Sequence, residues 1–198
     1  MRPVVAFQGE TGAFSEAAAG QLLPGELSLL PCTTFLDVVR AVVNGGADYG
    51  VLPLENVIAG PVHAAHDALA STTKLERVGE HLLPVQLALL GLSDSSSSKI
   101  REVLSHEMAL KQCRKWLAAR PQIRVVEAPD TAGAARMVAI RRYRHAAAIA
   151  APWAARHYGL KVLEEGLQDQ ADNTTRFVLV RRMRWGGLDD VHEVESAR

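Results

Sequence analysis

A hydroxyl and a guanidinium stand side by side at the head of the run Asn173-Thr174-Thr175-Arg176-Phe177-Val178-Leu179-Val180. Such a pair could donate a hydrogen bond to one end of a small acid while the arginine grips its carboxylate through two parallel N–H groups. Arg176 to Val180 is rich in Phe and Val and reads as a buried strand, so the polar cluster sits at the strand's mouth. Taken alone, the fragment also reads as an Asx or Ser/Thr turn that merely starts the strand.

Other stretches carry groups of the same kind. Residues 9–19, GETGAFSEAAA, follow a first strand and open a helix. Gly9 and Gly12 permit a tight turn, and the amides of Ala13, Phe14 and Ser15 at the helix start can hold an anion. The spacing matches neither GxGxxG nor GxxxxGK[ST], which argues against a nucleotide. In VLPLENVIAGPV, residues 51–62, Glu55 and Asn56 fall at the carboxyl end of a strand, where open α/β sheets collect ligands. By itself Asn56 reads equally as a turn or cap residue. His63 and His66 have HxxH spacing but no third ligand, so they are read as solvated histidines and no metal is expected. His106, in LSHEMALKQC, ends a strand before an amphipathic helix and either caps it or faces a cleft. In PDTAGAARMVA, Asp130 or Thr131 caps a helix whose small residues allow close backbone approach.

These groups need a scaffold. Short Val/Leu/Ile runs alternate with Ala-rich helical patterns: PVVAF, a helix from Phe14, ELSLL, a helix from Phe35, DYGVLPL, and a helix from about Pro61. That order implies βαβ units and a parallel sheet. The rhythm breaks between Lys74 and Leu92, where two extended segments meet without a helix between them. It resumes after the polar loop SDSSSS with EVLSH, a helix from Met108 to Ala119, IRVVEA, a helix from Thr131, AAAIA, a helix from Pro152, and KVLEE. The chain therefore reads as an α/β protein of two lobes. Lobe 1 spans residues 1–80 and is completed by 168–184, lobe 2 spans 81–167, and a tail covers 185–198. Crossings near 78–84 and 165–172 return the closing strand RFVLV to the first sheet.

Composition narrows the function. Lys plus Arg and Asp plus Glu are equal at 22 each, so no overall field recruits nucleic acid or an anionic membrane, and the basic runs RRYRH and RRMR read as solvated loop and strand ends whose spacing is not that of an aromatic nucleic-acid platform. Cys32 and Cys113 lie far apart without metal spacing, as expected of free thiols in a reducing compartment. No apolar run reaches the roughly 20 residues of a membrane span. With no secretory pattern at the N-terminus, a cytoplasmic protein is expected.

The order of the clusters resembles the catalytic region of prephenate dehydratases, and of the similar arogenate dehydratases, from residue 3 to about 180. The matching stretches are AFQGETGAFSEAA, DYGVLPLENVIAGPV, GEHLLPVQLALLGL, LSHEMALKQC, DTAGAA, AAIAAPWAARHYGLKVLEEGLQD and NTTRF. The resemblance implies a two-lobed, periplasmic-binding-protein-like fold with the active site in the interlobe cleft. It implies the conversion of prephenate to phenylpyruvate in phenylalanine biosynthesis, with arogenate as the alternative substrate and no cofactor. Thr175 is then the residue that assists departure of the ring hydroxyl. Arg176, Phe177, Asn56, Glu55, Ala13, Phe14, Ser15, His106 and Thr131 are the expected substrate-binding set. A homodimer is expected.

Two departures from the family pattern stand out. Members commonly carry Glu-Asn-Ser where this sequence has Glu55-Asn56-Val57, so a hydroxyl expected near the substrate is missing. Few residues follow RFVLV, so no phenylalanine-binding ACT regulatory domain is expected. A two-lobed binding module without catalysis is the alternative of a different class.

Overall fold

A computed structural model describes residues 2–183; the expected tail at 185–198 lies outside them, as does Arg184 of the last basic run. Two sheets organise the chain. The first begins with β1 (Val4–Gln8), α1 (Phe14–Leu22), β2 (Ser28–Cys32), α2 (Phe35–Val43) and β3 (Tyr49–Asn56). In these units the apolar residues alternate with helices that cover the strands, and β1 pairs in parallel with both β2 and β3. A two-residue strand β4 (Gly60–Pro61) folds back on β3, and α3 (His63–Ala70) and β5 (Leu75–Pro84) follow.

The second sheet contains β6 (Ala88–Gly91), β7 (Glu102–Ser105), β8 (Arg124–Glu127), β9 (Ala146–Ala150) and β10 (Lys161–Glu164), in the order β10-β6-β9-β7-β8. Its helices are α4 (Glu107–Gln112), α5 (Arg114–Ala118), α6 (Thr131–Arg141) and α7 (Ala154–Tyr158). The run AAAIA of β9 is buried throughout, and its small side chains let α6 pack closely on the sheet.

The chain then returns to the first sheet. β11 (Thr174–Arg182) inserts between β3 and β5, antiparallel to both, giving the order β2-β1-β3-β11-β5. Phe177 and Leu179 pack under α1 with Val5 and Val51, whereas Val178 and Val180 pack under α2 and α3 with Val38, Leu52 and Ala65. This alternation fixes which face each β11 side chain takes. β5 runs to Pro84, so the first sheet extends past the expected boundary at residue 80.

The two crossings lie side by side. Val85 N–H donates to Asn173 O at 2.8 Å, Leu167 N–H to Leu87 O at 3.0 Å, and Leu87 N–H to Gln168 Oε1 at 3.0 Å. Asp169, on the second crossing, also breaks the helix expected over Met108 to Ala119. Its N–H donates to Gln112 O at 2.7 Å, and its carboxylate accepts from the N–H groups of Arg114 and Lys115 at 3.1 and 3.0 Å. A carboxylate placed there starts a new helix after Cys113, so two short helices replace one.

A second seam joins the lobes at the β1–α1 turn. Trp153 Nε1 donates to Gly12 O at 3.1 Å, Tyr158 Oη to Thr11 O at 2.6 Å, and the Trp153 ring meets Phe14 edge to face with centroids 5.3 Å apart. Gly12 adopts φ +90°, and a Cβ there would come within 3.1 Å of Ala154 Cβ, so this approach of turn to helix needs glycine.

Candidate active site

Between the lobes lies a cleft of about 470 Å³, within the roughly 300–1,000 Å³ usual for small-molecule sites. Lobe 1 contributes the carboxyl ends of β1 and β3 and the start of α1. Because β11 runs antiparallel to β3, its first residues share that edge, and Thr175 lies in register with Asn56. Lobe 2 contributes His106 and the segments that follow β7 and β8.

Asn56 organises the polar floor. Its Oδ1 accepts from the N–H groups of Ile58 and Ala59 at 3.1 and 2.9 Å, which fixes the amide orientation and leaves Nδ2 to donate. Nδ2 donates to Asn173 Oδ1 at 2.7 Å and to Thr175 Oγ1 at 2.9 Å, with the Thr174 carbonyl at 3.2 Å. Asn173 in turn donates through Nδ2 to Gln112 Oε1 at 2.9 Å, so the network reaches across to lobe 2. Asn56, Asn173 and Thr175 are all buried. With Oγ1 accepting from Asn56, the Thr175 hydroxyl keeps its hydrogen for a partner in the cleft.

Around this floor, Phe177 supplies an apolar wall with Pro53, Val85 and Leu87. Ala13, at the start of α1, offers no side-chain cap, and Phe14 and Ser15 of the first turn line the cleft beside it. Ala13 N–H donates to Glu10 O at 3.1 Å, so the Phe14 and Ser15 amides are the anion-binding feature of this turn beside the cavity. His106 accepts from Met108 N–H through Nδ1 at 3.2 Å, so its Nε2 carries the hydrogen and is a donor. His106 therefore caps α4 and lines the cleft at once. Thr131 lines it from the start of α6, whose cap is Asp130: Gly133 N–H donates to Asp130 Oδ1 at 2.7 Å.

Eight of the expected residues thus line one cavity: Thr175, Phe177, Asn56, Ala13, Phe14, Ser15, His106 and Thr131. Arg176 and Glu55, expected to contact substrate, lie outside this lining. Strand alternation sends Arg176 to the face opposite Thr175 and Phe177, where its guanidinium lies 3.1 Å from Glu55 and 3.4 Å from Glu80. The three side chains tie β3, β11 and β5 together. Val57 is also outside the cleft lining and is 64% exposed, so the absent hydroxyl at that position is not a loss from the cavity wall.

His66, expected to be solvated, instead hydrogen-bonds the Leu54 carbonyl at 3.0 Å. Leu54 lies at the shift in register between β3 and β11, where its carbonyl also accepts from Val62 N–H at 2.9 Å. Sequence reasoning missed Gln112, and it placed Asn173 in the polar cluster without giving it a role in the site. Both lay inside stretches recognised for other reasons, LSHEMALKQC and NTTRF, and only the crossing brings them together.

Comparisons with known proteins identify the family. The family model for prephenate dehydratase matches residues 5–184. Arogenate dehydratase 3, chloroplastic, from Arabidopsis thaliana is 42% identical over 179 residues, which cover 90% of this chain and 42% of the relative. The crystal structure of a prephenate dehydratase from Arthrobacter aurescens in complex with L-Phe superposes with TM-score 0.84 at 34% identity, over 92% of this chain and 61% of that one. A solved structure described as a novel type of quorum quenching acylase, GqqA, has TM-score 0.82 and 36% identity, over 92% of this chain and 65% of that one. The chain spans about half the length of the curated relatives it matches. With the match running from within β1 to beyond the end of β11, the chain belongs to the prephenate dehydratase family.

Proposed function

We propose that the chain catalyses the decarboxylating dehydration of prephenate, or of its amino counterpart arogenate. The observation that carries this reading is the hydrogen bond from Asn56 Nδ2 to Thr175 Oγ1, which leaves a buried hydroxyl hydrogen for the cleft. In the reaction the bond from the ring to its carboxylate breaks, its electron pair enters the ring, and the ring hydroxyl leaves on the opposite side. The hydroxyl takes up a proton to depart as water, and carbon dioxide is released. Aromatisation supplies the driving force, so the protein's task is to align the breaking bonds and assist a poor leaving group.

Thr175 suits that task as a hydrogen-bond donor to the departing oxygen, since an alcohol is too weak an acid to act as a free proton source. The proton comes from solvent through the cleft. The first-turn amides of α1, Ser15, Thr131 and His106 are the donors available to the carboxylates. Names among the relatives cover both substrates, and the acylase of similar fold is a reminder that the frame alone does not select a reaction.

The test is Thr175→Val, which keeps volume and removes the hydroxyl. We expect kcat to fall by roughly 10²–10³ with little change in KM, the signature of an interaction made in the transition state. Unchanged turnover removes Thr175 from the mechanism. A wild-type protein that binds prephenate and arogenate without releasing either product is a binding module instead. We also carry a homodimer as part of this proposal, since the edge strand β5 exposes Val78 and Leu82; light scattering at micromolar concentration decides it.

A further inference from the structure

The charge inventory of the cleft is unusual for a site meant to hold a dicarboxylate. Among the described residues lining it there is no lysine or arginine, and only His106 and Asp130 have ionisable side chains. Prephenate brings two carboxylates and no cation. Arogenate brings the same two carboxylates and an ammonium group in place of the side-chain ketone.

Asp130 is half-buried at the cleft, and its two oxygens differ in what they do. Oδ1 accepts from Gly133 N–H at 2.7 Å, and Oδ2 receives no hydrogen bond among the described residues. The nearby guanidinium of Arg136 is turned to Glu10 at 3.4 Å rather than to Asp130. Across the interlobe gap stands Gly9, where a Cβ would lie 3.9 Å from Asp130 Oδ1. The Oδ1 edge of the carboxylate therefore faces the β1–α1 turn, close to the start of α1, while Oδ2 lies over Gly133, 2.9 Å from where a Cβ there would stand. A carboxylate acceptor beside the Phe14 and Ser15 amides, Ala13 N–H being held by Glu10 O at 3.1 Å, is the arrangement that reads both ends of an α-amino acid, ammonium on one and carboxylate on the other.

Resting on the dehydratase reading above, we propose that Asp130 is a specificity-determining residue that makes the cleft prefer arogenate to prephenate. The ammonium pairs with the carboxylate from the turn side, where Oδ1 stands, and offsets the Asp130 charge. A ketone in the same position faces an acceptor it cannot hydrogen-bond, and the dianion meets an uncompensated negative group. The overall step balances: arogenate plus one proton gives phenylalanine, carbon dioxide and water, with the same bonds broken as for prephenate.

The test is Asp130→Asn, because asparagine still accepts Gly133 N–H and so keeps the helix cap. Phenylalanine and phenylpyruvate are followed separately for wild type and variant. We expect the wild type to favour arogenate by about 10-fold or more in kcat/KM, and the variant to lose about 10-fold on arogenate while gaining on prephenate, each tenfold factor being about 1.4 kcal/mol. A purely structural role lowers both substrates equally, and an unchanged substrate ratio overturns the proposal. Should Asp130→Asn fail to fold, Asp130→Ser keeps a capping oxygen and takes its place. Calorimetry with both compounds on Thr175→Val, with and without Asp130→Asn, reads discrimination without turnover. If the wild type releases neither product, the dehydratase reading fails, and tighter binding of arogenate that vanishes with Asp130→Asn still upholds the role of Asp130. Equal binding of the two compounds sinks it.

Discussion

Asn56 Nδ2 donates to Thr175 Oγ1 across 2.9 Å, joining the last residue of one strand to the second residue of another 119 positions later. The direction of this bond matters more than its length. Two backbone N–H groups hold Asn56 Oδ1, so the amide cannot flip to become the acceptor of the threonine proton without losing both. The hydroxyl is thereby oriented as a donor to the cleft.

That direction can be reversed by one change of atom. Asn56→Asp keeps an oxygen for Ile58 and Ala59 N–H but replaces the Nδ2 donor with an acceptor, which draws the Thr175 hydrogen away from the cleft. It also sets Asn173 Oδ1 against a second oxygen. We expect kcat to fall at least as far as for Thr175→Val, roughly 10²–10³, with the fold retained by circular dichroism. Turnover near that of the parent would show that the hydroxyl is oriented by something other than Asn56.

Arg176→Lys separates the face of β11 that lines the cleft from the face that does not. The guanidinium bridges Glu55 and Glu80 on a partly exposed surface, where ion pairs contribute about 0–1 kcal/mol. The expected outcome is KM within about twofold of wild type and a loss of stability of at most about 1 kcal/mol. A strong rise in KM in steady-state assays would return Arg176 to the substrate.

The contrast between these two positions marks how far the sequence could be read. The strands and helix starts follow from β-branched runs, small-residue helices and turn residues, which are local signals. The cluster at 173–177 was visible as chemistry, and its neighbours in the cleft were visible as motifs. Which of two adjacent residues faces the cleft was not, because alternation gives two faces without saying which is covered by the other lobe. The broken helix at Cys113 was hidden for a related reason: Asp169, which caps its second half, comes from the far crossing. Long-range partners decide such details, and one sequence does not display them.

The seam at the β1–α1 turn yields a paired prediction on two glycines of neighbouring segments. At Gly12 the positive φ and the nearby Ala154 Cβ and Cα, 3.1 and 3.2 Å from a built Cβ, make Gly12→Ala costly by about 1–3 kcal/mol. The same change should raise KM, since the turn carries Ala13, Phe14 and Ser15 into the cleft. At Gly20, within α1, a Cβ meets nothing within 4 Å, so Gly20→Ala should stabilise by roughly 0.5–1 kcal/mol and leave KM unchanged. Thermal unfolding of both variants checks the pair, and equal shifts of the same sign would contradict it.

Alkaline stability follows chiefly from two acids, the buried Cys113 and the half-buried Tyr158. Burial pushes the Cys113 thiol up from 9.0 to about 12, with the Asp169 carboxylate adding to it; the side chain sits in the second lobe's core with Leu89, Trp116 and Ile149. Burial also pushes the Tyr158 phenol up from 10.0 to about 12, with Glu10 and Asp130 contributing, so it stays a donor to Thr11 O. In both cases the unfolded chain gives up its proton first. The stabilisation is complete below the unfolded pKa and is lost as pH rises through the folded one. Wild-type stability should therefore decline from about pH 9, where Cys113 would ionise in the unfolded state, and more steeply above pH 10 as Tyr158 joins it. Cys113→Ala removes the first contribution and keeps the second. At neutral pH it should cost on the order of 1 kcal/mol for the space left in a close-packed core, and between pH 9 and 10 its stability should fall less than the parent's, the remaining slope coming from Cys32, whose thiol burial also pushes up. Urea unfolding of the two proteins from pH 7 to 11 measures the difference. Parallel curves across that range would mean that the Cys113 thiol titrates alike in the folded and unfolded chain.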